Sequence, residues 1–303
     1  MKDLQANILQ LIGETPLVRL QKVTPGQDYL VLAKLEMLNV GGSAKTRPAL
    51  AMVEAAEKEG ILKPGSIIAE ATSGNTGIGL AVIGAVKGYR VIIVMPDNAS
   101  IERQQLIRAY GGEVILTPQA GGMTGAIEKL KEIQATSRDV FIPGQYQNEA
   151  NPGSHYRTTG KEILRQYPGR IDAWVAGVGT GGTLIGVARA LQEAHPALQV
   201  IAAMPAVTDS KIAGIRRIEP GGFVPSVLDR AMVDSFVAVP DDAAIAMARE
   251  LARREGILGG ISGGAAVWAA VETAKKLGPG KTVVTLLPDT GERYFSTDLF
   301  PKE

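Results

Sequence analysis

A strand–helix–strand pattern between residues 66 and 96 decides the fold class. This stretch reads SIIAEATSGNTGIGLAVIGAVKGYRVIIVMP. Short apolar runs at 66–70 and 91–95 predict strands, and the second run has the continuous β-branched character of a buried parallel strand. Residues 76–87 carry apolar side chains at helical spacing and end at Gly88, a typical C-cap. A strand, a helix and a second strand in this order predict a parallel sheet covered by helices.

The alternation of strands and helices continues along the chain. Ser100 is predicted to cap a helix that ends near Tyr110. The further predicted strands are 113–116, 140–142, 173–176, 200–203 and 282–287, and the further helices are 125–137, 183–194, 241–255 and 263–277. Two such series predict an α/β protein of two doubly wound lobes with a ligand between them. The polar stretch 146–160 is predicted to be irregular and to join the lobes.

The composition excludes several classes of protein. The chain has 303 residues and a net charge of +1, so no basic field points to nucleic acid. No apolar run approaches the ~20 residues of a membrane span. Residues 1–10 lack the apolar core of a signal peptide, so we expect a cytoplasmic protein. The absence of cysteine rules out disulfides and a cysteine nucleophile, and with two histidines we expect no metal site.

A glycine-rich loop, GVGTGG at residues 177–182, fits the pattern G-x-G-x-x-G between a predicted strand and a predicted helix. Free N–H groups at the start of a helix bind phosphate well. A dinucleotide site would also need an acid at the end of the next strand, where Met204 and Pro205 stand instead. The loop therefore favours a phosphate cradle over a nicotinamide site. A tight turn that needs small residues is the alternative.

A second glycine motif, GISGG at residues 260–264, fits the nucleophile elbow G-x-S-x-G. In the hydrolases with this elbow, the catalytic histidine follows the serine in the chain. Here His155 and His195 both precede Ser262. This order argues against a serine hydrolase.

Lys45 follows the Gly/Ser segment 41–44, which singles it out among the lysines. The glycines of a Walker A loop are missing, because Ala44 and Asn39 occupy their positions. A solvated lysine is the alternative to a functional one.

Polar side chains crowd the start of the helix predicted at 76–87. Thr72, Ser73, Asn75 and Thr76 all lie there, although one such residue is enough for a cap. Together with exposed N–H groups, they suit the binding of a carboxylate. Simple capping is the alternative.

Together these motifs resemble the cysteine synthase family, the O-acetylserine sulfhydrylases of the type II pyridoxal-phosphate fold, with a leaning to the B-type branch. The order and spacing of the matching segments are far more specific than any one of them. The segments are 13–18, 34–36, 39–48, 72–77, 95–97, 145, 151–152, 158–160, 179–183, 255–257, 262–264 and 291–294. The resemblance implies the tryptophan synthase β-like fold. Residues 1–36 and 149–303 would form the larger, cofactor-binding lobe, and residues 37–148 a smaller mobile lobe that closes on the substrate.

The resemblance also implies roles for individual residues. Lys45 matches the lysine that forms the Schiff base with pyridoxal 5'-phosphate, Asn75 the residue that binds its ring hydroxyl, and Ser262 the partner of its pyridine nitrogen. The loop that cradles the phosphate matches Gly179, Thr180, Gly181, Gly182 and Thr183. The residues around the substrate carboxylate match Thr72, Ser73, Gly74, Asn75, Thr76 and Gln145.

The implied reaction is a β-replacement that forms L-cysteine from O-acetylserine or O-phosphoserine and sulfide or thiosulfate. A neutral hydroxyl at the pyridine nitrogen weakens the electron sink, which favours elimination over transamination. Once the substrate displaces it, Lys45 is the general base for the α-proton.

Individual segments point to different branches of this family. Residues 210–217 resemble the B-type branch, and Arg216 or Arg217 suits a sulfonate or phosphate group there. A solvated loop arginine is the alternative. Residues 221–225 resemble the A-type branch. The chain departs from the family pattern at Val40, Ala44, Thr46, Gly144 and Met204, and we expect the loss of proline at Val40 to loosen the lysine loop.

From the resemblance alone we expect a homodimer, with the C-terminal tail of a serine acetyltransferase as a candidate partner. Other enzymes of the same fold are alternatives, namely cystathionine synthase, diaminopropionate synthase and serine dehydratase. A non-catalytic relative is disfavoured by the presence of Lys45. A nicotinamide-dependent oxidoreductase is disfavoured by the missing acid.

Overall fold

The computed structural model describes residues 4–219 and 221–300 and contains two β-sheets flanked by helices. The strands are β1 (Leu17–Arg19), β2 (Leu30–Leu35), β3 (Ile67–Ala71), β4 (Arg90–Pro96), β5 (Glu113–Thr117), β6 (Val140–Phe141), β7 (Ala173–Gly177), β8 (Gln199–Pro205), β9 (Ser235–Val239) and β10 (Thr282–Leu287). The α-helices are α1 (Thr46–Lys58), α2 (Asn75–Lys87), α3 (Ile101–Ala109), α4 (Gly122–Thr136), α5 (Ala150–His155), α6 (Lys161–Gln166), α7 (Gly182–Ala194), α8 (Asp241–Glu250) and α9 (Ile261–Leu277). The predicted α/β class is confirmed.

The larger sheet has the strand order β1-β2-β10-β7-β8-β9, and all its pairs are parallel except β1 with β2. Alternate side chains of β7 point to opposite faces of the sheet and pack into two separate hydrophobic cores. Ala173 and Val175 pack with α8 and α9, whereas Trp174 and Ala176 pack with α7. Because both faces are covered, the strands read as continuous apolar runs.

The smaller sheet has the strand order β5-β4-β3-β6 and is parallel throughout. Ile93 of β4 packs on the side of α1, α2 and α3, whereas Val94 packs against α4. The carboxyl ends of β3 and β7 lead directly into α2 and α7. Ligands of open parallel sheets bind at such ends. The boundaries of the two predicted lobes stay a prediction.

Elements with a strong local signal are where the sequence predicts them. Helix α2 ends at Gly88, which adopts the left-handed conformation at φ 77°, and β10 has its predicted bounds. Ser100 lies before α3, but its hydroxyl bonds Arg293 O at 3.3 Å and does not cap the helix.

The prediction of an irregular stretch over residues 146–160 is wrong. It contains α5 and a π-helical turn, Tyr156–Gly160. Four of its polar side chains, Asn151, Ser154, His155 and Thr159, are buried and hydrogen-bonded, so their polarity does not mark a loop. The helix predicted over 241–255 ends in a π-helical turn at Leu251–Glu255. Strands β1, β2 and β9 and helices α1, α5 and α6 were missed.

Membrane-spanning helices are absent from the residues described, since none of their helices has the length and apolar character to cross a bilayer.

Close packing of α8 on α9 depends on Gly264. A Cβ atom at Gly264 would overlap Ala244 O and lie 2.7 Å from Ala248 N, both backbone atoms. We expect Gly264→Ala to lower the free energy of unfolding by about 1–3 kcal/mol. Gly125→Ala in α4 is the matched control, because nothing lies within 4 Å of its Cβ position. That variant should gain about 0.5–1 kcal/mol from the lower backbone entropy of the unfolded chain. Urea denaturation followed by circular dichroism measures both, and equal stability of Gly264→Ala and the parent would contradict this packing.

Candidate active site

Lys45 lies at the start of α1, on a loop that is fastened at both ends. Before it, Ala44 N donates to Pro288 O at 2.8 Å. After it, Thr46 Oγ1 donates to Val40 O at 2.6 Å. This bond ties down the loop that the missing proline was expected to loosen. Burial lowers the pKa of the Lys45 amine, and the charge of Asp289 opposes that effect.

Arg47 anchors the helix that follows the lysine. Its guanidinium bonds Glu36 at 2.8 and 2.7 Å and Glu162 at 2.6 and 2.8 Å, and all three side chains are buried. Lys34 adds an ion pair to Glu162 at 2.7 Å. These contacts join β2, α1 and α6, so the position of Lys45 depends on three separate segments of the chain.

The polar start of α2 meets Gln145. Thr76 Oγ1 donates to Gln145 Oε1 at 2.7 Å, and Thr72 Oγ1 accepts from Gly74 N at 3.2 Å. Ser73 is exposed, whereas Gln145 is buried. The structure therefore brings together two of the segments assigned to the substrate carboxylate.

Asn75 opens α2 and is held through both ends of its amide. Its Nδ2 donates to Asp289 Oδ2 at 2.7 Å, and its Oδ1 accepts from Arg293 Nη1. Since Nδ2 carries two hydrogens, this orientation leaves one N–H of Asn75 available.

The glycine loop before α7 is packed from several sides. A Cβ atom would overlap Gly214 O at Gly179 and the Asn151 amide at Gly182, and Gly181 has φ +90°. Asn151 Nδ2 bonds both Gln145 O at 2.8 Å and Thr180 Oγ1 at 3.1 Å. The buried Asn151 thus links the α2 side of the site to the glycine loop, a role that sequence reasoning missed.

His155 supports the same loop from below. Its Nδ1 lies 2.9 Å from Thr159 Oγ1 and its Nε2 3.1 Å from Thr183 Oγ1. Burial, with help from the positive charges of Arg47 and Lys45, lowers the pKa of His155 to about 3, so the imidazole is neutral. No motif pointed to this role.

Ser262 lies in the first turn of α9 and is buried. Its hydroxyl has no hydrogen-bond partner among the residues described. His155 is engaged by threonines and does not contact it. The serine-hydrolase triad is therefore not assembled around His155.

Arg216 and Arg217 differ in their surroundings. Arg217 Nη1 donates to Ala206 O at 2.7 Å and to Pro205 O at 3.3 Å, so this side chain fixes the backbone at the end of β8. Arg216 Nη2 donates to Tyr146 Oη at 2.7 Å. Its guanidinium carbon lies 4.8 Å from the centre of the Tyr146 ring and 5.3 Å from that of Phe223. Arg216 Nε is buried without a partner among the described residues.

Comparison with known proteins agrees with this geometry. The sequence model of the family described as pyridoxal-phosphate dependent enzyme matches residues 8–289. A cysteine synthase of Staphylococcus aureus (strain Mu50 / ATCC 700699) is 49% identical over 304 residues, which cover 97% of this chain and 96% of that protein. The chain belongs to the cysteine synthase family. It is a pyridoxal-phosphate dependent enzyme with the type II fold.

Solved structures of the family superpose over nearly the whole chain. A hydrogen sulfide-producing enzyme from Fusobacterium nucleatum has a TM-score of 0.92 and 43% identity, covering 97% of this chain and 99% of that one. A cysteine synthase from Entamoeba histolytica has a TM-score of 0.93 and 40% identity, and the match covers 100% of this chain and 93% of that one.

The site fits pyridoxal phosphate. Close packing restricts the loop to glycine at 179 and 182, and α7 presents its N-terminus there, which favours a phosphate. The Lys45 amine has no hydrogen-bond partner among the residues described, and Ser262 offers a neutral hydroxyl. Within the described ranges, no group of three His, Cys, Asp or Glu side chains is arranged to hold a metal.

Glu70 is a further residue that the motifs did not reveal. It is the last residue but one of β3, shortly before the Thr72–Thr76 segment, and its Oε2 accepts from Gly144 N at 3.1 Å. Burial raises the pKa of its carboxyl to about 7, against the effect of backbone N–H groups. Gly144, which replaces a larger residue of the family pattern, adopts φ +66° at this contact. Glu70 thus connects the α2 start to the Gln145 loop.

The raised pKa of Glu70 predicts a stability change with pH. Between pH 4.5 and 7 the folded protein keeps a proton that the unfolded chain loses, so its stability falls as pH rises through that window. Glu70→Gln should therefore match the parent near pH 5 and exceed it at pH 8 by on the order of 2–3 kcal/mol. Urea denaturation at both pH values measures this. The contribution of His155 is common to both proteins and cancels. Exposed Glu59→Gln is the control, and a Glu70→Gln difference that does not depend on pH would contradict the assignment.

Proposed function

We propose that this protein makes L-cysteine by replacing the side-chain leaving group of O-acetylserine with sulfur. One observation carries the proposal. A half-buried lysine, a polar helix start and the glycine loop before α7 lie in one site. The 49% identity to a cysteine synthase supports it.

The residue roles follow the sequence predictions. Lys45 would bond to the cofactor, Ser262 would face its pyridine nitrogen, and one N–H of Asn75 would meet its ring oxygen. Gly179, Thr180, Gly181, Gly182 and Thr183 would hold the phosphate. Thr72, Ser73, Gly74, Asn75, Thr76 and Gln145 would bind the substrate carboxylate.

Pyridoxal phosphate, when bound, supplies an electron sink that stabilises negative charge at the substrate α-carbon. The side chains of the protein do the rest. The α2 start and Gln145 orient the carboxylate with N–H and hydroxyl donors, which suits a helix N-terminus. Lys45 removes the α-proton and later returns a proton, a task aided by burial that lowers the pKa of its amine. The neutral Ser262 hydroxyl does not enforce protonation of the ring nitrogen.

For an anionic substrate we propose that Arg216 binds the phosphate of O-phosphoserine or the charged end of thiosulfate. Arg216 N bonds Val178 O at 2.8 Å, which anchors it beside the glycine loop, and its contact Tyr146 adjoins Gln145. The Tyr146 hydroxyl and the two aromatic faces orient the cation, and its Nε has no partner among the described residues. Arg217, by contrast, holds backbone carbonyls.

We also propose that residues 37–148 close on the substrate and that the C-terminal tail of a serine acetyltransferase enters the site. We propose further that two copies form a homodimer, and that the protein lies in the cytoplasm. Exposed apolar side chains support the dimer, since a second copy would remove such side chains from water. They include Leu11, Leu38, Ile101, Tyr110 and Phe295.

Absorbance of the purified protein tests the central proposal. The protein should show the visible band of lysine-bound cofactor, and O-acetylserine should move that band to longer wavelength. Lys45→Ala should lose the band and lower cysteine formation by about 10³-fold, since it removes the base. Exposed Lys63→Ala is the control and should keep both. A protein that stays colourless with added pyridoxal phosphate would contradict the proposal.

A second candidate function is the release of hydrogen sulfide from L-cysteine, favoured by the likeness to the Fusobacterium nucleatum enzyme. The same preparation, given L-cysteine alone, distinguishes the two. Sulfide released from cysteine faster than cysteine is made from O-acetylserine would favour this candidate.

Arg216→Gln tests the role in anion binding. We expect KM for O-phosphoserine or thiosulfate to rise by about tenfold or more, because a charge-assisted hydrogen bond contributes about 1.5–3 kcal/mol. KM for O-acetylserine and sulfide should change by less than about threefold. Arg217→Gln should lower thermal stability instead, since Arg217 holds backbone. Equal changes for both substrate pairs in Arg216→Gln would contradict the assignment.

A further inference from the structure

Asp289 is a buried carboxylate that none of the motifs singled out. It follows β10 and is 1% exposed. Its Oδ2 accepts from Asn75 Nδ2 at 2.7 Å and from Tyr294 Oη at 2.8 Å. Its Oδ1 is buried and has no hydrogen-bond partner among the residues described. A buried carboxylate oxygen without a donor is costly, so its presence indicates a donor that reaches it in another state.

The backbone places Asp289 directly beside the lysine loop. Ser43 and Asp289 form an antiparallel β-bridge, and Ala44 N bonds Pro288 O at 2.8 Å. On the other side, Gly260 N bonds Asp289 O at 3.1 Å, next to the start of α9. A Cβ at Gly260 would overlap Oδ1, so this oxygen lies on the α9 side of the carboxyl group.

Other charged groups face Asp289 but do not occupy Oδ1. Arg103 of α3 lies 4.0 Å from Oδ2, and its Nη1 donates to Ser100 Oγ at 3.1 Å. Arg293 donates through Nη1 to Asn75 Oδ1 and through Nη2 to Gly41 O. Its Nε and that of Arg103 are buried without a partner among the described residues, so neither donates to Oδ1 in this arrangement. Tyr294 bonds Oδ2 only. Arg103 and Arg293 are thus two charged neighbours of Asp289, and Lys45 is the third.

We propose that Asp289 is a positioning residue whose free oxygen Oδ1 receives the ammonium form of Lys45 during the reaction. The inference rests on the proposed function, in which Lys45 takes and returns a proton. When the amine takes the α-proton, the C–H electron pair stays on the substrate and the nitrogen lone pair forms the new N–H bond. The proton passes only between the substrate and Lys45, so the step needs no other co-reactant.

The physical need for such a partner follows from burial. Burial lowers the pKa of Lys45 and so destabilises its ammonium form, whereas the negative charge of Asp289 opposes this effect. A carboxylate beside the lysine loop would stabilise the ammonium form of Lys45 until the proton is returned. Asp289 also orients Asn75. Because Asp289 accepts from Asn75 Nδ2, the amide oxygen of Asn75 must point away from Asp289.

Capture of pyridoxal phosphate by the cofactor-free protein tests this inference. Only the neutral amine reacts with the aldehyde, so the capture rate rises with pH and its midpoint reports the protonation of Lys45. Borohydride reduction followed by peptide mass analysis assigns the product to Lys45, and Lys45→Ala identifies the background. We expect Asp289→Asn to move the midpoint down by at least about one pH unit, as the loss of a close opposite charge does. Tyr294→Phe removes one hydrogen bond to the carboxylate but keeps its charge, and it should leave the midpoint in place.

A merely structural role for Asp289 predicts a different result, because it would slow capture at every pH without moving the midpoint. That outcome would overturn the inference. If Asp289→Asn does not fold, Asp289→Ser decides by the same criterion, being neutral and smaller. The assay contains neither an amino-acid substrate nor a sulfur donor, so a failure of the proposed function would leave its result unchanged.

Discussion

The buried ion cluster around Arg47 is the interaction on which the rest of the site depends. A guanidinium ion taken out of water is stable only when it is paired and fully hydrogen-bonded. Glu36 and Glu162 satisfy that need, and Gly13 leaves the space, since a Cβ there would lie 2.9 Å from both Arg47 Nη1 and Glu162 Oε1. Because removing one partner would leave a buried charge, the start of α1 has a single favourable position. Lys45 lies two residues before Arg47 and shares that constraint.

Helix starts supply the electrostatic character of the site. The N-termini of α2, α7 and α9 carry Asn75, Gly182 and Ser262 respectively. Each end favours negative charge, which suits a substrate carboxylate at α2 and a cofactor phosphate at α7. At α9 the negative group belongs to the protein itself, since Asp289 lies there. The site therefore combines positive helix ends with one buried carboxylate near the lysine, and burial strengthens each of these interactions.

Local physics explains which predictions succeeded. Helix α2 could be predicted because apolar spacing and the left-handed Gly88 act within a few residues. The glycine loop could be predicted because backbone sterics restrict it. The 146–160 stretch could not, since Asn151 and His155 find their partners at Thr180 and Thr183, far along the chain. A polar residue that is satisfied by a distant partner has the same sequence signature as a solvated one.

By itself the sequence determined the α/β class, the family, and the segments that carry Lys45, the α2 start and the glycine loop, because these depend on local spacing and chain sterics. Only the tertiary structure decided which polar groups meet. It separated Arg216 from Arg217, gave Glu70 and His155 their buried surroundings, and set Asp289 beside Asn75, 214 residues away. The physical reason is that charge stabilisation and desolvation depend on distance in space and on burial, and neither follows from spacing along the chain.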